Sequence, residues 1–183
     1  MTTLYIVLGV LGGLLFLWFV FEFNKFIKLK NQTDKALSDM DVYFQKRHDL
    51  IPNLVETVKG YMKHEANLIE EVTAARANAV GKKGEKKARA EAKVGSAVGS
   101  IMAVAENYPE IKANENFLDL SAQLAKMESE IAVARQNYNE IATQFNIKRE
   151  SFPDSIAAVL MGLKKRTLFK AGHFERKNVK VKF

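Results

Sequence analysis

Residues Leu4 to Phe21 form one uninterrupted apolar run, with no charged side chain before Glu22. A helix rising about 1.5 Å per residue covers most of a bilayer core about 30 Å thick with such a run, and Thr2 and Thr3 can extend it. A cleaved signal peptide would need a basic leader and a small-residue cleavage site. Nothing basic precedes the run, and Glu22-Phe23-Asn24-Lys25 is a poor exit for a signal peptidase. Residues 1–23 are therefore expected to remain as a transmembrane anchor. Lys25, Lys28, Lys30 and Lys35 follow it, so the positive-inside rule predicts an outside N-terminus and a cytoplasmic C-terminal domain. Gly9 and Gly13 make a GxxxG pair through which two anchor helices can pack closely. Glycine is also common in membrane helices, which is the plainer explanation of the pair.

The remainder reads as all-α. A hydrophobic fraction of 48% excludes global disorder, and three prolines and ten glycines in 183 residues favour long helices over a turn-rich sheet protein. From Phe26 the positions Phe26, Lys30, Thr33, Leu37, Met40, Phe44, Arg47, Ile51, Leu54, Val58 and Tyr61 alternate spacings of four and three, a heptad stripe along one long helix. A second helix is expected over Glu65 to Val80, ended by Gly81. Lys82 to Lys93 is dominated by Lys, Glu, Ala and Arg and reads as a solvated connector or an exposed helical turn. A third helix runs from Val94 to Tyr108 and is closed by Pro109. A second heptad stripe, Phe117, Leu120, Leu124, Met127, Ile131, Ala134, Tyr138, Ile141 and Phe145, predicts a long fourth helix to Glu150. Phe152-Pro153 breaks it, and Asp154 or Ser155 is expected to cap the short apolar stretch Ile156 to Leu163.

Such stripes are buried most economically in an elongated up-and-down antiparallel bundle, with the first and fourth helices long. The predicted organisation is thus an anchor (1–23), a helical bundle (24–163) and a basic tail (164–183). From Lys164 onward eight basic residues face Glu175 alone, so the tail carries the whole net charge of +7. Elsewhere no basic stripe is interleaved with aromatics, and nucleic acid is not an expected partner.

Residues that could carry chemistry are scattered. With no cysteine, disulfides, thiolate metal sites and cysteine nucleophiles are excluded. His48, His64 and His173 lie far apart in sequence, without HExxH or Glu-x-x-His spacing. Gly81-Lys82-Lys83-Gly84 lacks the spacing of a phosphate-binding loop, and no GxSxG elbow occurs. No catalytic residue, metal site or cofactor is expected. One feature breaks the helical rule: Pro52 sits inside the first heptad stripe, where it removes a donor and collides with the carbonyl of His48, at a cost of about 3 kcal/mol or more. The ordinary reading is a bend that fits the helix to its neighbours. The functional one is that the freed His48 carbonyl, with Arg47, Asp49, Pro52 and Asn53, forms a polar notch for a partner.

The stretch Lys46-Arg47-His48-Asp49-Leu50-Ile51-Pro52-Asn53-Leu54-Val55-Glu56, continuing to Tyr61 and His64-Glu65, resembles the LemA family. Ala75-Arg76, Glu106-Asn107-Tyr108-Pro109, Asn116-Phe117, Ala134-Arg135-Gln136-Asn137-Tyr138-Asn139, Phe145-Asn146 and Phe152-Pro153 extend the resemblance over nearly the whole chain. It implies a bacterial membrane protein, of the inner or plasma membrane, built on a long helical bundle, and supplies no activity.

The residues and the resemblance together predict a membrane-anchored scaffold without catalysis, partnered by the lipid bilayer, by further copies of itself and by other membrane proteins. A lipid-binding or membrane-shaping protein is the alternative, and an enzyme with an unrecognised site a more distant one. Counting helices outward, back and outward again places the start of the tail at the distal end of the bundle, far beyond a Debye length of about 8 Å from the lipid. On that geometry Lys164, Lys165 and Arg166 are expected to meet a neighbouring subunit, another protein or a second membrane, a neighbouring subunit first among them, and not their own membrane.

Overall fold

A computed structural model of the chain describes residues 1–169, except for the side chain of Glu85. Most of the expected basic tail, residues 170–183, lies outside the described residues. The described chain is all-α: α1 (Thr2–Lys59), a 3₁₀ turn (Lys63–Glu65), α2 (Ala66–Ala79), α3 (Gly84–Ala105), the one-turn α4 (Pro109–Lys112), α5 (Glu115–Glu150) and α6 (Asp154–Leu160). Two compact units divide it: unit 1 comprises Met1–Ser38 and Asn137–Thr167, and unit 2 comprises Asp39–Gln136 with Leu168 and Phe169.

In unit 2, burial of α1 follows the heptad stripe: Met40, Phe44, Arg47, Ile51, Leu54 and Val58 are all buried. Ile51, Leu54 and Val58 meet Val72 and Ala79 of α2, Val94, Ala97, Val98, Ile101 and Ala105 of α3, Ile111 of α4, and Phe117 and Leu124 of α5 in one core. A fully enclosed leucine such as Leu54 stabilises a core of this kind by about 2–5 kcal/mol over alanine. The connections follow from local chemistry. Val80 in extended conformation and Gly81 at φ 74° place the Lys82 amide on the Ala79 carbonyl, a type II turn that needs glycine at its third position. The Asn114 side chain accepts from the Phe117 amide and caps α5.

Of the two readings of Lys82 to Lys93, the helical one holds and the connector does not, and the helix is longer than a turn, since α3 begins at Gly84 and runs on to Ala105. Its Ala, Lys, Glu and Arg residues are strong helix formers. Lys87, Glu91, Val94, Val98, Ile101 and Ala105 also form a continuous heptad spacing that turns one side of the charged segment inward.

Unit 1 contains the apolar run, the C-terminal part of α5 from Asn137, and α6. Tyr5 to Leu17 are exposed along α1, whereas Trp18, Phe19 and Leu29 pack against a small core of Phe26, Phe145, Ala157 and Ala158. The Phe26 and Phe145 rings meet edge to face at 6.1 Å, a favoured aromatic geometry. α6 ends in a Schellman motif: Gly162, at φ 63°, donates to the Val159 carbonyl and Leu163 to that of Ala158. Its expected N-cap is not found. Pro153 holds the cap position without a side-chain hydrogen bond, and the Asp154 carboxylate, already in the first turn, accepts from Lys148 at 2.7 Å.

Candidate functional site

The residues around Pro52 do not stay together as one surface notch. In a 3.6-residue helix Arg47, Ile51 and Leu54 share a face, and Asp49, Pro52 and Asn53 point elsewhere. Arg47 and His48 are accordingly buried, at 2% and 6% exposure, while Asp49, Pro52 and Asn53 lie on the outside. Asp49 accepts from Gln45 at 2.8 Å.

Arg47 is the centre of a polar cluster inside unit 2. Its Nη2 donates to the Glu91 carboxylate at 2.6 Å and to the Glu91 backbone carbonyl at 2.9 Å. Nη1 donates to Glu128 Oε1 at 2.6 Å. His48 Nε2 lies 3.2 Å from the same Glu91 oxygen that Arg47 holds. The guanidinium also stacks over Phe44, 5.5 Å from the ring centroid. One charge thereby joins α1 to α3 and α5. Burial raises the Glu91 carboxyl, but the hydrogen bond from His48 and the charge of Arg47 outweigh it and hold the group below its ordinary 4.5. Gly95 makes room for this pairing, since a Cβ there would stand 3.1 Å from Arg47 Nη1.

The carbonyl freed by Pro52 has a partner inside the protein. Arg76 Nε, from α2, donates to the His48 oxygen at 2.8 Å, and α1 continues through Pro52 to Lys59. The cluster thus consists of charge-paired groups and a satisfied carbonyl. Among the described residues no group of three or more His, Asp or Glu side chains is arranged to hold a metal ion.

A second polar set lies in unit 1, where the apolar run ends. Glu22 is buried and takes hydrogen bonds from Lys25 at 2.8 Å and from Lys148, which also binds Asp154. Burial pulls the Lys148 ammonium down, yet its bonds to Asp154 and Glu22 prevail and raise it above the ordinary lysine value.

The same unit overturns the expected course of the fourth helix. Phe145 and Lys148 advance along α5 while their unit 1 neighbours retreat along α1, Phe145 meeting Phe26 and Lys148 meeting Glu22. α5 therefore runs back toward the end of the apolar run. The start of the tail follows it. The Arg166 amide donates to Asn146 Oδ1 at 2.7 Å, Asn146 Nδ2 donates to the Arg166 carbonyl at 2.8 Å, and the Arg166 guanidinium pairs with Asp34 at 2.9 Å. Asp34 lies about 16 Å along α1 from Phe23, so these residues do not begin at a distal end. Lys165 pairs with Glu150 at 2.9 Å, and Lys164 is exposed. Gly9 and Gly13 have open space where a Cβ would stand.

Sequence reasoning missed Glu91, Glu128 and Arg76 as the partners of Arg47 and His48. A signal existed for Glu91, three residues before Val94 on the α3 stripe. For Glu128 and Arg76, both partly buried, no comparable spacing marks the contact.

The family model that matches the chain, described as LemA family, covers residues 36–183. Protein LemA of Metamycoplasma hominis is 26% identical over 169 residues, covering 91% of this chain and 77% of that protein. Magnetosome protein MamQ 2 of Paramagnetospirillum magneticum is 25% identical over 175 residues, and magnetosome protein MamQ of Magnetospirillum gryphiswaldense 22% over 175, each covering 81% of this chain. The chain spans only 64% of the length of these magnetosome proteins. The matched region takes in every member of the Arg47 cluster, and the chain belongs to the LemA family.

Proposed function

We propose that this protein is a membrane-anchored helical scaffold that self-associates or recruits partner proteins and catalyses no reaction of its own. The observation that carries this reading is the contrast within α1. Residues 1–17 are all exposed although apolar from Leu4 on, whereas the stripe further along the same helix is buried. An exposed apolar surface of that length has lipid as its natural environment. Lys25, Lys28, Lys30 and Lys35 favour the cytoplasmic side for the helices beyond the span.

The Arg47 cluster supports a structural role. A charge already matched by two carboxylates fixes how α1, α3 and α5 meet and offers no free acid or base for catalysis. Asp49, Pro52 and Asn53 remain on the outside of α1 as an edge for a partner, and Gly9 and Gly13 allow a second anchor helix to approach. The magnetosome relatives are proteins named for an organelle and not for a reaction, which accords with a non-enzymatic part.

Because the chain has no cysteine, Val10→Cys provides a single crosslinking site in the anchor. Disulfide-linked dimers formed in intact membranes, and lost when Gly9 and Gly13 are both replaced by leucine, are the expected result. Absence of crosslinking at Val10 and at each of its neighbours through Leu14 would remove the anchor from the proposed self-association.

A further inference from the structure

α6 and the residues just before it leave a second apolar surface uncovered. At about 100° per residue, Ile156, Val159 and Leu160 fall within an arc of about 100°, with Ala157 and Ala158 on the opposite side. Ala157 and Ala158 are buried, while Ile156, Val159 and Leu160 are 50%, 76% and 71% exposed. Phe152, four residues before Ile156, is 84% exposed. A helix facing water carries polar groups on that side, and here there are none.

The surface has a defined position within unit 1. Ala157 and Ala158 share a core with Phe26 and Phe145, and Trp18 and Phe19 pack against the same core. α6 therefore lies beside the turns of α1 in which the apolar run ends. Nearby charge is arranged to suit an interface. Asp154, the only charged residue of α6, is bound to Lys148, and Lys148 is bound to Glu22. The exposed Lys164 follows the apolar face in sequence and can extend its ammonium group to lipid phosphates.

We propose that Phe152 to Leu160 is a second membrane contact, with Phe152, Ile156, Val159 and Leu160 entering the boundary between headgroups and acyl chains of the bilayer spanned by residues 4–21. This rests on the anchor reading given above. The place of α6 beside Trp18 and Phe19, where the exposed apolar run ends, favours lipid as the occupant over a second copy of the chain.

The test uses the full-length protein in vesicles of phosphatidylcholine and phosphatidylglycerol, spin-labelled at one position at a time through Val159→Cys or Leu160→Cys. Leu11→Cys marks the lipid interior and Asn31→Cys the aqueous side. All four positions are exposed in the protein, so labelling leaves the cores intact. Collision with oxygen, which concentrates in lipid, is compared with collision with a water-soluble nickel chelate. The expected result is an oxygen-to-nickel ratio severalfold higher at Val159 and Leu160 than at Asn31. A ratio equal to that at Asn31, with Leu11 still in lipid, overturns the proposal and leaves the anchor standing. Low collision with both reagents would show a second copy seated on α6, which also overturns it. A Leu11 label as accessible to nickel as Asn31 would remove the anchor and this proposal together.

Discussion

Arg76 donates its Nε hydrogen, at 2.8 Å, to the carbonyl of His48, the oxygen that Pro52 leaves without its helical donor. The proline that interrupts the ladder of α1 and the arginine that repairs it lie on different helices, so the defect becomes a link between α1 and α2.

That link is testable by a mutant cycle. Arg76→Met leaves the His48 carbonyl without its donor and is expected to cost about 1–3 kcal/mol in denaturant unfolding. Pro52→Ala returns a backbone amide to the same carbonyl, so Arg76→Met should cost clearly less in that background. Equal costs in the two backgrounds would sever the proposed connection.

Removing the central cation should be more damaging. Arg47→Met strands the buried Glu91 carboxylate, at an expected cost of about 3–5 kcal/mol. Arg47→Met combined with Glu91→Leu should recover much of that loss in thermal or chemical unfolding, since no unpaired charge stays behind at Glu91.

Acid unfolding should report Glu91. Its folded-state value lies below the ordinary 4.5, so its stabilising contribution is fully present above pH 4.5 and fades as pH falls through the folded value. Glu91→Gln removes that contribution. The stability gap between wild type and variant is therefore expected to be widest near neutral pH and to narrow as pH drops below 4.5. A gap independent of pH would deny Glu91 this role.

Two glycines of α3 separate helix propensity from packing. Gly99 has nothing within 4 Å of a Cβ position, so Gly99→Ala should stabilise by about 0.5–1 kcal/mol. Gly95→Ala gains the same propensity but drives a methyl against the Arg47 guanidinium, which Glu91 and Glu128 hold in place. It is expected to be destabilising, and urea titrations of the two variants side by side decide the matter.

The heptad stripes announced most of the fold. Met40, Phe44, Ile51, Leu54 and Val58, then Phe117, Leu120, Leu124 and Ile131, are buried as their spacing requires, because periodicity reports the inward face of a helix directly. The charged segment before Val94 was less legible. Its composition suits solvent as well as helix, and only the extension of the stripe to Glu91 distinguishes the two. The direction of α5 could not be read at all, since a stripe is the same whichever way its helix runs. Arg47 was marked by its place on the stripe, but its partners come from residues far along the chain, a relation that local spacing does not encode. The open face of α6 was legible as an apolar stretch, and its position beside Trp18 and Phe19 was not.

The mass of the full-length protein extracted in a mild detergent, measured by light scattering with the detergent contribution subtracted, tests the scaffold reading most directly. The account predicts a multiple of the single-chain mass or a stable complex with co-extracted membrane protein. A single chain with no partner, at protein concentrations matching those in the membrane, would contradict it.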